Sequence, residues 1–205
     1  MISFVYFDLG GVVEKDFSAT TKWDDVREEL GIQPSQAYDV FWAEVERDIC
    51  TRKEVDSLLP VLQEKFGAKI PDNYSLLDTF VKRFEKNESI WPIITEINQT
   101  ARIGLFTMMY PHMLEAIQKS GVLPHVVWDV IVDSSVVGLT KFDKEMYQLA
   151  QEKAGVPKNE ILYVENSRKY IEIAKELGWQ TFFYDSSSYE KSSNDLAEFW
   201  RAINK

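Results

Sequence analysis

The chain has 205 residues, a formal net charge of -10 and a pI near 4.8, and 45% of its residues are hydrophobic, which suits a globular core with room for an inserted subdomain. The acidic balance, with no Lys/Arg run, argues against nucleic acid and acidic membrane surfaces as partners. Cys50 is the single cysteine and His112 and His125 are the only histidines, which excludes an internal disulfide and leaves cysteine-based or histidine-rich metal sites without ligands.

The first predicted element is a strand, "ISFVYF" at 2–7, apolar on both faces as in a covered parallel sheet. The opening lacks the pattern of a signal peptide, and no later stretch approaches the ~18 uninterrupted apolar residues of a membrane span, so a cytoplasmic location is expected. From about 16 to 90 the chain reads as helices without a convincing strand. Ala37, Tyr38, Phe41, Trp42, Val45 and Ile49 recur at helical spacing. "TRKE" at 51–54 has the form of a capping box, followed by Val55, Leu58, Leu59 and Leu62, with Pro60 expected to kink or shorten that helix. Leu76, Leu77, Phe80, Val81 and Phe84 make a third stripe.

Beyond 90, short apolar strands alternate with helices: "RIGLF" at 102–106, "VIVD" at 130–133, "ILYV" at 161–164 and "TFFY" at 181–184. The intervening helices run from Pro111 to Gly121, from Asp143 to Gly155 and from Ser167 to Gly178, each stopping at a glycine. "DSSSYEKSSND" at 185–195 reads as a surface loop before a last helix that buries Leu196, Phe199, Trp200 and Ile203. The expected fold class is α/β: a three-layer Rossmann-like core with a parallel sheet, at 1–15 and 90–205, plus an inserted all-helical cap at 16–89.

Ligands of open parallel sheets bind beyond the carboxyl ends of the strands. Those ends carry Asp8-Leu9-Gly10-Gly11, then Thr107-Met108-Met109, then Ser134-Ser135 with Lys141 further on, then Glu165-Asn166-Ser167. A carboxylate that can attack phosphorus, a hydroxyl and an ammonium that can hold phosphoryl oxygens, and oxygen ligands for Mg²⁺ together suit phosphoryl transfer.

In that order the residues resemble the haloacid dehalogenase (HAD) superfamily. "YFDLGGV" looks like its nucleophile motif, "GLFTMMYP" its Ser/Thr motif, "SSVVGLTKFDKEMY" its lysine motif and "ILYVENSRKYIEIAKELGW" its acidic metal motif, with the helical insertion where many members carry a cap. The resemblance implies a phosphatase-type hydrolase with a D-L-G first motif, acting on a small phosphorylated substrate through an aspartyl phosphate. It makes Asp8, Thr107 and Lys141 catalytic, Thr107, Met108 and Lys141 phosphate-binding, and Asp8, Gly10 through its carbonyl, Glu165 and Asn166 the Mg²⁺ ligands. Monomer and homodimer both stay open.

Several positions depart from the family pattern. Gly10 stands where most phosphatases of the superfamily carry a second aspartate acting as general acid and base, Met108 where an asparagine is frequent, and Phe142 where a proline is frequent. Glu165-Asn166 replaces a common pair of aspartates. Glu14 and Asp16 are candidate replacement donors, although the favoured reading is two solvated acids on a linker. Trp42, Glu46, Arg47 and Arg52 lie where a cap would face the site, Trp42 reading as core and the arginines as surface. Two rivals remain: a catalytically impaired binding or regulatory protein, and a metal-independent dehalogenase, the latter disfavoured because Tyr170 occupies the region of its expected aspartate.

Overall fold

Five strands join one parallel sheet in the computed structural model, which describes residues 1–204. The chain opens with β1 (Phe4–Phe7) and a short β2 (Glu14–Lys15). Four helices follow: α1 (Lys22–Glu29), α2 (Gln36–Ile49), α3 (Leu59–Phe66) and α4 (Leu76–Val81). A second short strand, β3 (Glu85–Lys86), and α5 (Trp91–Ile97) lead to β4 (Arg102–Thr107) and α6 (Met113–Ser120). Next come β5 (Val130–Asp133), a single helical turn α7 (Ser134–Val137), α8 (Lys144–Ala154) and β6 (Ile161–Glu165). The chain closes with α9 (Arg168–Glu176), β7 (Gln180–Phe183) and α10 (Tyr189–Ile203).

The strand order is β5-β4-β1-β6-β7, all parallel. The chain builds outward from β1 to β4 and β5, then crosses back to lay β6 and β7 on the other side, so the order reverses at β1. Side chains of β1 alternate between two cores. Val5 and Phe7 meet Ile103, Leu105, Ile117, Leu196 and Trp200 on one face. Phe4 and Tyr6 meet Phe106, Tyr147, Ala150, Tyr163 and Trp179 on the other. Both faces are covered by helices, which is why these strands read as continuous apolar runs. On the aromatic face Tyr6 donates to Ala150 O of α8 at 2.7 Å. A Cβ at Gly104 would meet Val130 O at 2.7 Å and the Tyr6 ring at 2.8 Å, so the aromatic layer requires a glycine in β4.

Five local expectations are corrected. The stretch expected to be free of strands holds β3, which pairs antiparallel with β2 (Glu14 with Lys86, Lys15 with Glu85). No capping box forms at "TRKE": the Thr51 hydroxyl donates to Arg47 O at 2.6 Å, backing onto the last turn of α2, and a 3-10 turn at Val55–Leu58 follows. Pro60 opens α3 rather than kinking it, because at the first turn its missing N–H costs nothing. Helix α6 begins at Met113, two residues after Pro111, since His112 takes a left-handed conformation (φ 64°). Finally, α10 takes in residues 189–195 of the expected surface loop, because serines there turn inward: Ser193 is buried against the Tyr184 hydroxyl at 2.7 Å, and Ser192 Oγ accepts from Asp185 N at 3.0 Å.

Candidate active site

The loops after β1, β4 and β6, and residues of the segment between β2 and β3, enclose a cavity of about 330 Å³. It lies at the reversal of strand order, where a doubly wound sheet leaves its crevice. Asp8 follows β1 directly, its own N–H donating to Val164 O at 2.9 Å, so the end of β6 fixes the backbone that carries it. Its Oδ1 accepts from Leu9 N at 2.7 Å and pairs with Lys141 Nζ at 2.7 Å. The other oxygen has no hydrogen-bond partner among the described residues.

Lys141 is only 1% exposed. Its Nζ also binds Glu165 Oε2 at 2.8 Å and lies 5.3 to 5.8 Å from the ring centres of Tyr170, Tyr163 and Phe106. Tyr147 of α8 anchors its backbone by donating to Lys141 O at 3.1 Å. Burial lowers the lysine pKa, but Asp8 and Glu165 together outweigh it, so the ammonium holds its proton above the ordinary range. Burial, then the neighbouring Glu165, pushes Asp8 up to about 7 against the opposing pull of Lys141.

Thr107 ends β4 beside β1 and is fully buried. It is not part of the cavity wall, and its Oγ1 has no hydrogen-bond partner. Met108 does line the cavity, in contact with the Tyr170 hydroxyl at 3.7 Å from its sulfur. Glu165 is placed differently from a metal ligand: Oε2 accepts from Lys141 and Tyr163, and Oε1 from Ser167 N at 2.7 Å. Asn166 Nδ2 faces Gly10 O at 3.3 Å, Ser18 Oγ at 3.2 Å and Ser186 Oγ at 2.9 Å, clasping the loop after β1.

The favoured reading of Glu14 and Asp16 as solvated linker acids does not hold. Glu14 is fully buried with neither carboxylate oxygen partnered, and Asp16 forms part of the cavity wall. Burial raises both, Glu14 well above the ordinary carboxylate range, with the charges of Asp16 and Asp8 adding to the effect. Glu46 also lines the cavity, and burial raises it too. Trp42 packs among Trp23, Tyr38, Phe41 and Phe80, as the core reading expects. Arg47 forks onto Asp143 at 2.8 and 2.9 Å, and Arg52 is exposed and outside the cavity.

No family model matches the chain. Among curated proteins it is similar to bifunctional epoxide hydrolase 2 of Sus scrofa, 21% identical in an alignment 196 residues long, with 85% of this chain and 35% of that protein covered. The chain thus spans about a third of that relative's length. A HAD family enzyme of Bacteroides thetaiotaomicron, solved as a mutant with magnesium and inorganic phosphate, superposes with a TM-score of 0.73 at 14% identity, covering 91% of this chain and 95% of that one. A predicted HAD-like family hydrolase of Porphyromonas gingivalis gives 0.69 at 19% identity, covering 100% and 99%. An L-2-haloacid dehalogenase of Xanthobacter autotrophicus, with chloropropionic acid covalently bound, gives 0.62 at 18% identity, covering 88% and 76%. The chain has the fold of the haloacid dehalogenase superfamily.

On this HAD fold the donor set can be tested against a magnesium ion. Five carboxylates line the cavity (Asp8, Glu14, Asp16, Glu46 and Glu165) against one cationic side chain, Lys141. That charge excess and the oxygen-only donors fit a hard cation. Among the described residues no group of three or more His, Cys, Asp or Glu side chains forms a metal cage, so neutral oxygens must complete the set. The free oxygen of Asp8 and the Gly10 carbonyl fit; Asn166 would bring its Oδ1 there by turning its amide over, since its Nδ2 faces Gly10 O; Glu165, spent on Lys141, Tyr163 and Ser167, does not.

Sequence reasoning missed the apolar wall of the cavity, made by Phe17, Trp23, Phe80, Phe84, Tyr110 and Met113. Phe80 and Phe84 were already visible as one helical stripe. Periodicity marks such a stripe as buried without saying whether it meets a core or a ligand space.

Proposed function

We propose that the chain is a hydrolase of phosphate monoesters, acting on a small phosphorylated metabolite through an aspartyl-phosphate intermediate on Asp8. The observation that carries this reading is the buried Asp8–Lys141 pair at the end of β1, beside a strand that ends in an unpartnered Thr107 hydroxyl. Lys141 holds one oxygen of Asp8 and leaves the other free to attack phosphorus. Its ammonium then meets the oxygens on which charge accumulates, and the unpartnered Thr107 hydroxyl at the end of β4 is the second donor assigned to them. Glu165 keeps Lys141 oriented and charged. Mg²⁺, held by Asp8, Gly10 O and Asn166 Oδ1, would supply charge neutralisation for the phosphoryl group. Residues 16–89 act as a cap whose aromatic side chains exclude water from the transfer.

A screen of phosphorylated metabolites with Mg²⁺ tests the reading. Turnover of at least one monoester is expected, and Asp8→Asn should abolish it. An Asp8→Asn protein with undiminished metal-dependent turnover would remove the nucleophile assignment. A second reading, metal-independent dehalogenation, is favoured by Glu165 being spent on Lys141 and by the dehalogenase among the structural relatives. Chloride release from 2-chloropropionate in the presence of a chelator would establish it.

A further inference from the structure

Gly10 offers no side chain, yet the space beside it is filled. A Cβ built on Gly10 would lie 2.6 Å from Asp16 Oδ2, closer than real Cβ atoms approach, and 3.2 Å from its Cγ. Asp16 therefore occupies the volume into which a side chain at position 10 would project, reaching it from the chain just after β2. Its Oδ1 accepts from Ser18 N at 2.7 Å, a local turn that fixes the carboxyl group, while Oδ2 has no hydrogen-bond partner among the described residues. A side chain at position 10 would push the Asp16 carboxyl out of this place, so the glycine and the present position of the aspartate belong to one arrangement.

We propose that Asp16 is the catalytic proton donor of this site, supplied through space in place of the side chain that Gly10 lacks. The inference rests on the phosphatase reading above. As Asp8 forms its bond to phosphorus and the bond to the ester oxygen breaks, the proton on the Asp16 carboxyl passes to that oxygen, and the alcohol leaves. The Asp16 carboxylate then takes a proton from a water whose oxygen attacks the aspartyl phosphate. The bond between phosphorus and Asp8 breaks, giving inorganic phosphate, free Asp8 and protonated Asp16. Glu14 is a poorer choice because both its oxygens are fully covered, and Glu46 on α2 has no such relation to Gly10.

Leaving-group dependence tests the role without relying on a titration. Glycerol 2-phosphate releases an alkoxide that needs a proton, whereas 2,4-dinitrophenyl phosphate releases a stable phenolate that does not. Asp16→Asn should lower kcat/KM, which reads the steps through formation of the aspartyl phosphate and not its hydrolysis, by about 10²–10⁴ on the first, the usual worth of a positioned acid, and by less than about tenfold on the second. Gly10→Asp combined with Asp16→Gly should restore part of the lost alkyl-ester turnover. Equal losses on both substrates would mark Asp16 as structural and overturn the proposal, as would no loss on either. Wild-type protein inactive on both esters would instead overturn the parent phosphatase reading.

Discussion

Thr107 carries a hydroxyl that folding has hidden without pairing. An unsatisfied buried polar atom costs about 1–3 kcal/mol, so it persists where something other than the fold uses it. Thr107→Val keeps the shape and removes the unpaired atom. The urea midpoint of that variant should equal or exceed that of the wild type, while kcat falls by about 10²–10³, the usual loss when a transition-state donor is removed. A clear drop in the midpoint would show that the hydroxyl serves the fold instead. At this scale Asp8 and Lys141 were legible because their motifs occur together at the strand ends, whereas Glu165, read as a metal ligand, instead holds Lys141. Asp16 was named as a candidate donor but read as a solvated linker acid, since its place beside Gly10 is a relation across space that neither residue signals in the sequence.

Among the elements, α2 is joined to the sheet end by a single polar clasp. Arg47 forks onto Asp143, whose carboxylate also accepts from Thr140 N at 2.8 Å and Thr140 Oγ1 at 2.9 Å, in the turn that carries Lys141. Arg47 is 60% exposed on its side chain, so solvent screens the pair. A double-mutant cycle on Arg47→Ala and Asp143→Ala should return a coupling near the top of the ~0.2–1 kcal/mol range for such pairs, shrinking as salt is added. Zero coupling at low salt would mean that the clasp contributes nothing to holding α2 in place. Element types were largely readable from period and punctuation: the five sheet strands fall where their apolar runs lie. The missed pieces, β2 and β3, are pairs of charged residues whose pairing depends on two distant segments meeting, which no local pattern encodes.

For the whole molecule the decisive quantity is charge. The net charge of -10 is not spread evenly over the surface: five carboxylates meet in one cavity with one lysine, and two of them, Glu14 and Glu165, are wholly buried. A divalent cation entering there binds the folded state alone, so Mg²⁺ should raise the melting temperature. The gain is about 2.7 kcal/mol at a concentration a hundredfold above Kd, reversible by a chelator. Asp8→Asn should show a smaller rise in the same thermal titration. Equal rises in both proteins would place the ion elsewhere. The overall acidity argued against nucleic acid from the outset, but composition gave no hint that the charge would be concentrated in one crevice.

The small ribbon of β2 and β3 has a mechanical consequence. It zips together the outgoing and returning strands of the insertion, and Asn87 reinforces the joint from its buried side by donating to Val12 O at 2.6 Å and to the Tyr184 hydroxyl at 2.9 Å. Two separate tethers would let the helices sway and twist over the sheet independently. Stitched side by side, they leave the sheet as one ribbon rather than two separate tethers, and Asp16 follows directly on it.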